Sequence, residues 1–166
     1  MDVTTPRFRR WALSLTLSIA LALAVGAVGG LATASSIPDW YAGLRKPSFN
    51  PPNWVFGPVW TTLYVLMALA ASRIDVRAEG RARGAALVLY AVQLTLNLAW
   101  SLIFFGLRAP GPALMELAVL LPAILATALA FWRLDRTAGL LLAPYALWCS
   151  FAFVLNFEIW RLNPAR

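Results

Sequence analysis

The sequence predicts an all-α membrane protein, a bundle of five transmembrane helices with a long first loop. Composition is the first observation behind this prediction, because 61% of the 166 residues are hydrophobic and only 13% are charged. Soluble globular domains are about half apolar and about a quarter charged. The second observation is that apolar runs close to the ~20 residues needed to span a bilayer recur five times. Because a chain of this length suffices for one domain, we assign residues 1–166 to a single transmembrane domain.

The five runs predict helices rather than strands, because a helix satisfies its own backbone hydrogen bonds in lipid. A transmembrane barrel would instead show alternation over about ten residues. The connections "RIDVRAEGRAR", "RAPGP" and "RLDRTAG" are short and begin with arginine, whereas the first connection is long. Loops of that length are often functional. The predicted helices span residues 11–34, 54–72, 84–107, 112–132 and 138–160, and the long loop spans residues 35–53.

The amino-terminal run has two interpretations. "RFRRW", an apolar run and "ATASS" together resemble a cleaved signal peptide, but a signal core usually spans about 7–15 residues and this run is longer. We therefore interpret it as a retained helix. Small residues recur every four positions within it, at Ala22, Gly26, Gly30 and Ala34. Such a ridge allows close helix approach, either in a homodimer or within the bundle, and the third helix is another candidate dimer face.

The distribution of Lys and Arg predicts the orientation. Because these residues lie in short groups between apolar runs rather than on one polar face, we expect no nucleic-acid binding. The positive-inside rule places the amino terminus in the cytoplasm, if the protein lies in a plasma membrane, and the long loop outside. The count is nine on the first side (Arg7, Arg9, Arg10, Arg73, Arg77, Arg81, Arg83, Arg133, Arg136) against five on the second (Arg45, Lys46, Arg108, Arg161, Arg166).

Three predicted helices each carry aromatic or amide residues on one face, at spacings of four, seven and eight. Polar residues inside a membrane are costly and tend to mark function, so these faces are predicted to line one cavity for a flat apolar ligand. Alternatively, the amides bond neighbouring helices and the aromatic rings anchor at the membrane interface. We assign Trp11, Trp54, Trp132 and Trp160, near helix ends, to the interface. The predicted site faces are Trp60 and Tyr64; Gln93, Asn97, Trp100 and Ser101; and Trp148, Ala152, Leu155 and Asn156.

The sequence excludes the common hydrolytic and metal chemistries. It has no histidine, a single cysteine at Cys149, no metal-ligand spacing and no glycine-rich phosphate loop. No cofactor is therefore required, and a bound haem would lack its usual histidine ligand, with Cys149 or a tyrosine as poor substitutes. Glu116 and Glu158 are predicted to reach water near helix ends, so we expect no proton relay. Pro122 and Pro144 either kink their helices or are tolerated within them.

Three stretches carry a resemblance to a known family. "WYAGLRKPSFNPPNWVFGPVWTTLY" resembles the first loop and second helix of the translocator protein family, which includes bacterial tryptophan-rich sensory proteins and the mitochondrial peripheral benzodiazepine receptor. "QLTLNLAWSLIFFG" and "PYALWCSFAFVLNFEIWRLN" resemble its third and fifth helices. The resemblance covers roughly residues 11–163. It implies a five-helix bundle, usually dimeric, that binds porphyrins and other flat apolar ligands in the membrane.

The resemblance also implies a site and a lid. The long loop would close over an apolar ligand, stiffened by Pro47, Pro51 and Pro52. By motif, the pocket would use Trp40, Tyr41, Trp60, Asn97, Trp100, Trp148, Ala152 and Leu155.

The family's proposed sterol motif is incomplete in this chain. Val154 and Arg161 are present, but Phe157 stands where the motif requires tyrosine. Because such motifs are weak even when intact, we do not expect sterol recognition.

Three functions remain open. The first, which we favour, is a receptor or carrier that binds a porphyrin or haem for tetrapyrrole transport, sensing or scavenging. The second is an enzyme that degrades protoporphyrin in a light-dependent oxidation, with Trp60 and Trp148 as candidate electron donors. The third is a structural or signalling subunit without a small ligand. Irradiating the porphyrin complex and monitoring new absorbing products would separate the first two.

Overall fold

A computed structural model describes residues 6–164, with side chains from residue 8 onward, and within that range every regular element is helical. Residues 1–5, 165 and 166 lie outside the described part, so Arg166 of the charge count is not placed. Two short π-helical turns extend α1 and α3, at Ile37–Tyr41 and Leu102–Gly106. The helices are α1 (Pro6–Ser36), α2 (Asn53–Arg77), α3 (Gly80–Ser101), α4 (Pro110–Leu134), α5 (Arg136–Leu141) and α6 (Ala143–Leu162).

The predicted all-α bundle and the integral, multi-pass membrane location are confirmed. Between residues 6 and 164, five helical segments are long and apolar enough to cross a membrane, and the fifth is formed by α5 and α6 together. The observed helices extend beyond the predicted runs; α2, for example, continues to Arg77. The residues added to α2, 73–77, include Arg73 and Arg77, and arginine favours helix. Long charged side chains can also keep their stems on apolar surface while their heads reach water.

The core is centred on α2, which contacts each of the other five helices. Met67, Ala68, Ala70 and Ile74 are completely shielded from solvent on this helix. Its alanines allow neighbouring helices to approach closely, as small residues do in membrane bundles. In contrast, α1 lies at the edge of the bundle and exposes many apolar side chains, such as Leu31. In a bilayer these side chains contact lipid.

The long first loop is shorter than predicted. Residues 35–41 are helical rather than part of a loop, so the irregular connection covers only residues 42–52. The hydroxyl of Ser36 donates to the backbone carbonyl of Phe105 at 2.7 Å, which fixes the end of α1 against the π turn after α3. Pro38 lies in the first turn of the π helix, where a missing N–H group is tolerated.

The two interior prolines behave differently. Helix α4 continues without interruption through Pro122, so this residue is tolerated. Helix α6 begins just before Pro144, and Leu142 separates it from α5. Proline removes a backbone donor and crowds the preceding turn, which accounts for the break at this position.

An ion-pair cluster joins α2 to the turn between α4 and α5. The carboxylate of Asp135 accepts hydrogen bonds from Arg73 at 2.9 Å and Arg77 at 3.2 Å. It also accepts from the backbone N–H of Ala138 at 3.0 Å, which caps α5. Burial alone would raise the pKa of Asp135. This effect is outweighed by the hydrogen bond from the Ala138 N–H, the hydrogen bond from Arg73 and the positive charges of Arg73 and Arg77. The pKa of Asp135 therefore lies below its ordinary value.

Candidate ligand-binding site

A cavity of about 510 Å³ lies between α1, α2 and the end of α3. Its α1 side consists mainly of small residues, and the opposite side is aromatic. Among the predicted site residues it contains Tyr41, Trp60, Tyr64, Trp100 and Ser101. Its other lining residues are Leu23, Gly26, Ala27, Gly29, Gly30, Thr33, Ala34, Ile37, Asn53, Phe56, Gly57, Thr61 and Phe105.

The glycines of α1 have two different roles at this cavity. A Cβ atom added at Gly26 would lie 2.6 Å from Cε2 of Tyr64, so glycine is needed there for the two helices to approach. A Cβ atom added at Gly30 would have nothing within 4 Å, so Gly30 leaves cavity space open. Ala22, four residues before Gly26 on the same ridge, is completely buried in the bundle. Ala22 and Gly26 therefore serve packing within this chain, and a dimer formed through Gly30 or through the third helix stays a prediction.

A second, much smaller cavity of about 30 Å³ lies on the α6 side. Its volume is about that of one water molecule. It brings together the predicted residues of the fifth helix with three of those from the other elements. The lining residues are Tyr41, Phe56, Trp60, Trp100, Phe104, Phe105, Trp148, Ala152, Leu155, Asn156 and Ile159.

Five aromatic residues line both cavities and lie between them. We call this set the aromatic partition, and its members are Tyr41, Phe56, Trp60, Trp100 and Phe105. The rings are supported by further aromatic contacts. The Trp60 ring lies 5.7 Å from that of Tyr64 and 6.3 Å from that of Tyr145, between centroids. Phe56 contacts Trp148 edge-to-face at 5.9 Å. Such tilted and edge-to-face pairs each add to stability beyond their area burial.

Amide side chains hold the aromatic residues in place. The hydroxyl of Tyr64 donates to Oδ1 of Asn97 at 2.8 Å, and Nε1 of Trp100 donates to Oδ1 of Asn156 at 3.1 Å. Asn156 in turn donates from Nδ2 to the carbonyl of Pro110 at 2.7 Å, which joins α6 to α4. These amides therefore form the interhelical bonds that sequence reasoning gave as the alternative role, and at the same time they orient two aromatic rings of the site.

Two predicted polar residues line neither cavity. Asn97 is buried behind Tyr64, and Gln93 is buried one turn further from the loop. Nε2 of Gln93 lies 3.9 Å from the sulfur of Met67, and its Oε1 has no hydrogen-bond partner among the described residues. Gln93 thus belongs to the bundle core between α2 and α3 in this structure.

Trp40 and Tyr41, which were predicted to lie in the loop, end the π turn after α1 and are held in different ways. Trp40 lines neither cavity, and its ring packs edge-on against Phe104 at 5.6 Å. Tyr41 belongs to the aromatic partition, and its hydroxyl donates to Oδ1 of Asn50 at 2.9 Å. The π turn therefore covers one end of the site, with the Tyr41 ring in the cavity wall and the Trp40 ring behind it.

Asn163, which sequence reasoning missed, ties the loop to the end of α6. Its Oδ1 accepts from the backbone N–H of Arg45 at 3.1 Å, and its Nδ2 donates to the Arg45 carbonyl at 2.9 Å. Nδ2 also donates to the carbonyl of Ile159 at 2.7 Å. The only sequence signal was an amide just beyond an apolar run, which is too common to predict a contact across 118 positions.

The expectation that Glu116 reaches water is wrong. Both of its carboxyl oxygens are buried and have no hydrogen-bond partner within the described part of the chain. Helix α4 begins at Pro110, two positions earlier than predicted, and packs against α6, so Glu116 lies well inside the helix. Glu158, in contrast, forms an ion pair with Arg161 at 2.7 Å at the end of α6.

Comparison with known proteins agrees with this architecture. Residues 18–161 match the TspO/MBR family. The chain belongs to the TspO/MBR family.

The resemblance read from the three motifs is thereby confirmed. Over 153 residues the chain is 44% identical to the tryptophan-rich protein TspO of Chlorobaculum tepidum, covering 92% of this chain and 97% of that one. It is 44% identical to the tryptophan-rich sensory protein of Cereibacter sphaeroides over 156 residues, 92% of each chain. It is also 44% identical to the human translocator protein over 126 residues, 75% of each chain.

Proposed function

We propose that this TspO/MBR-family protein is a membrane receptor or carrier that binds porphyrins and similar flat apolar ligands inside its bundle. Its role would then be tetrapyrrole transport, sensing or scavenging. The observation that supports the proposal is the cavity of about 510 Å³ with an aromatic wall. Small-molecule sites are typically apolar clefts of about 300–1,000 Å³ with few polar groups. Relatives are named tryptophan-rich sensory protein and translocator protein.

The aromatic partition suits a flat macrocycle. Offset stacking on rings such as Trp60 and Trp100 adds to the burial of apolar area. A micromolar dissociation constant corresponds to about 8 kcal/mol, or about 330 Å² of apolar area at 25 cal/mol per Å². The free-energy cost of association raises the area required. A macrocycle covered on both faces offers area on that scale, whereas a small ligand does not.

In this proposal the ligand binds in the larger cavity, because the smaller one, at about 30 Å³, is too small for a macrocycle. Residues of α6 would then affect the bound ligand indirectly, through the rings of the aromatic partition. Ala152 lies behind it, where no benzyl ring fits. Phenylalanine at this position would push the partition toward α1 and reduce the space for the ligand. Overpacking of this kind typically costs about 1–3 kcal/mol.

A titration of purified protein with protoporphyrin, read by quenching of tryptophan fluorescence, tests the proposal. We expect a micromolar or tighter constant, and weaker binding by Ala152→Phe and by Gly30→Leu, which fills the open side of the larger cavity. Leu147→Phe is the matched control, because Leu147 is 72% exposed on the lipid side of α6. An absence of quenching at tens of micromolar porphyrin, or unchanged binding by Ala152→Phe and Gly30→Leu, would contradict the proposal.

A second candidate function is light-dependent oxidation of bound protoporphyrin. Trp60 lines the larger cavity and contacts both Tyr64 and Tyr145, so a tryptophan next to the ligand has further oxidisable rings behind it. Trp148 lines only the smaller cavity, on the far side of the partition. Under illumination in air, Trp60→Phe should therefore slow the appearance of new absorbing products more than Trp148→Phe. Equal product formation by bound and free porphyrin would exclude this function.

A further inference from the structure

Lys46 lies next to the aromatic partition and has no anionic partner among the side chains that the structure describes. Its Nζ lies 4.7 Å from the centroid of the Tyr41 ring, which belongs to the aromatic partition. Within the described part of the chain, the ammonium group donates to two backbone carbonyls, those of Ala42 at 3.3 Å and Leu44 at 3.2 Å. Among the side chains that the structure describes, no carboxylate forms an ion pair with it.

The environment of Lys46 differs from that of the paired arginines. Arg73, Arg77, Arg83 and Arg161 each have an Asp or Glu carboxylate within ion-pair distance. Partial burial lowers the pKa of Lys46 below its ordinary value, so the charged form is stabilised less than in water. A carboxylate arriving beside Nζ would restore that stabilisation. An ion pair removed from bulk water is also stronger than one at the exposed surface.

We propose that Lys46 is the recognition residue for a carboxylate on the rim of the bound ligand, while the larger cavity takes the apolar ring. The preferred ligand class is then a flat, apolar macrocycle with acidic side chains, and this inference rests on the proposed function. A lysine suits the task because its compact charge sits on a flexible four-carbon stem and can turn from backbone carbonyls to a carboxylate. Arg45 and Arg108, also outside the apolar spans, are exposed to water, where ion pairs contribute little.

The test compares protoporphyrin, which carries two carboxylates, with its dimethyl ester, which carries none. Both are titrated against the wild type, Lys46→Met, Lys46→Arg and the control Arg108→Met, with thermal unfolding of each variant as a fold check. We expect Lys46→Met to weaken free-acid binding about tenfold, the scale of one charge-assisted hydrogen bond. Ester binding should stay within about twofold, Lys46→Arg should recover part of the loss, and Arg108→Met should bind like the wild type.

The outcomes separate this inference from the proposed function. If Lys46→Met weakens acid and ester equally, Lys46 only supports the loop and the inference is overturned. If the wild type binds acid and ester equally and Lys46→Met binds like the wild type, porphyrin binding stands and the carboxylate subsite is refuted. If the wild type binds neither ligand, both the proposed function and the inference about Lys46 are refuted.

Discussion

Gly26 and Gly30 offer a paired experiment on how α1 forms the cavity. The two glycines are one helical turn apart on one side of α1, and both line the larger cavity. Alanine at position 26 would place Cβ 2.6 Å from Cε2 and 2.9 Å from Cδ2 of Tyr64, whereas at position 30 Cβ would meet nothing within 4 Å. The Tyr64 ring cannot retreat freely, because its hydroxyl is bound to Asn97 at 2.8 Å.

The magnitudes follow from this geometry. Replacing glycine by alanine inside a helix favours the folded state by about 1 kcal/mol. Overpacking at position 26 costs about 1–3 kcal/mol, so Gly26→Ala should be less stable than Gly30→Ala by about that amount. Because each variant adds one methyl group to one helix, effects on the unfolded chain largely cancel. For a chain of this size the difference corresponds to roughly 2–12 °C in Tm.

Thermal unfolding of both variants in the same detergent measures that difference. We expect Gly30→Ala to match or exceed the wild-type Tm and Gly26→Ala to fall below it. In a Tyr64→Phe background, which lacks the bond to Asn97, the Tm difference between Gly26→Ala and Gly30→Ala should narrow but persist, because phenylalanine keeps the ring that the new methyl group meets. Equal Tm values for Gly26→Ala and Gly30→Ala would refute the proposed contact between α1 and Tyr64.

Three further predictions concern other parts of the molecule. Because the pKa of Asp135 is lowered in the folded state, the ionised carboxylate contributes fully to stability above the ordinary pKa of 3.8, and this contribution is lost as the pH falls below that value. Asp135→Asn should therefore flatten the acidic part of the Tm–pH profile, and a profile identical to that of the wild type would contradict this prediction. Glu116→Leu should raise stability by about 1–3 kcal/mol, because it removes a buried carboxyl that has no hydrogen-bond partner among the described residues. The control Glu158→Leu should not raise stability, and a lower Tm for Glu116→Leu would count against the assignment. Replacing Trp40 and Tyr41 by alanine should raise the porphyrin off-rate in stopped-flow experiments and leave the on-rate within a few fold of the wild-type value. If both rates are unchanged, and hydrogen exchange in the loop is the same with and without porphyrin, the segment is a static cap.

The sequence predicted the spans well because the need for about 20 apolar residues is a property of each segment alone. Periodicity also placed Trp60 and Tyr64 on one face, and both line the larger cavity. It could not separate Gly26 from Gly30, since a glycine carries no side chain and the distance to Tyr64 depends on how two helices pack. The α1 wall of the larger cavity was missed for the same reason.

Other differences arose from tertiary contacts and helix ends. The role of Asn163 depends on a loop 118 positions away in the chain. The burial of Glu116 depends on where α4 begins and on its packing against α6. Asn97 was placed on the correct helix face, but its partner is Tyr64 rather than the cavity. Spacing predicts the direction of a side chain, whereas its partners are determined by the neighbouring helices.

The location of the larger cavity at the edge of the bundle has a consequence for divergence within the family. Met67 and Ile74, which belong to the α2-centred core, do not line this cavity. Positions such as Gly30, Thr33 and Ala34 line the cavity but are not among those core residues. We expect substitutions at these positions to alter the shape of the cavity with little effect on stability, so the cavity can diverge within the family while the architecture is retained.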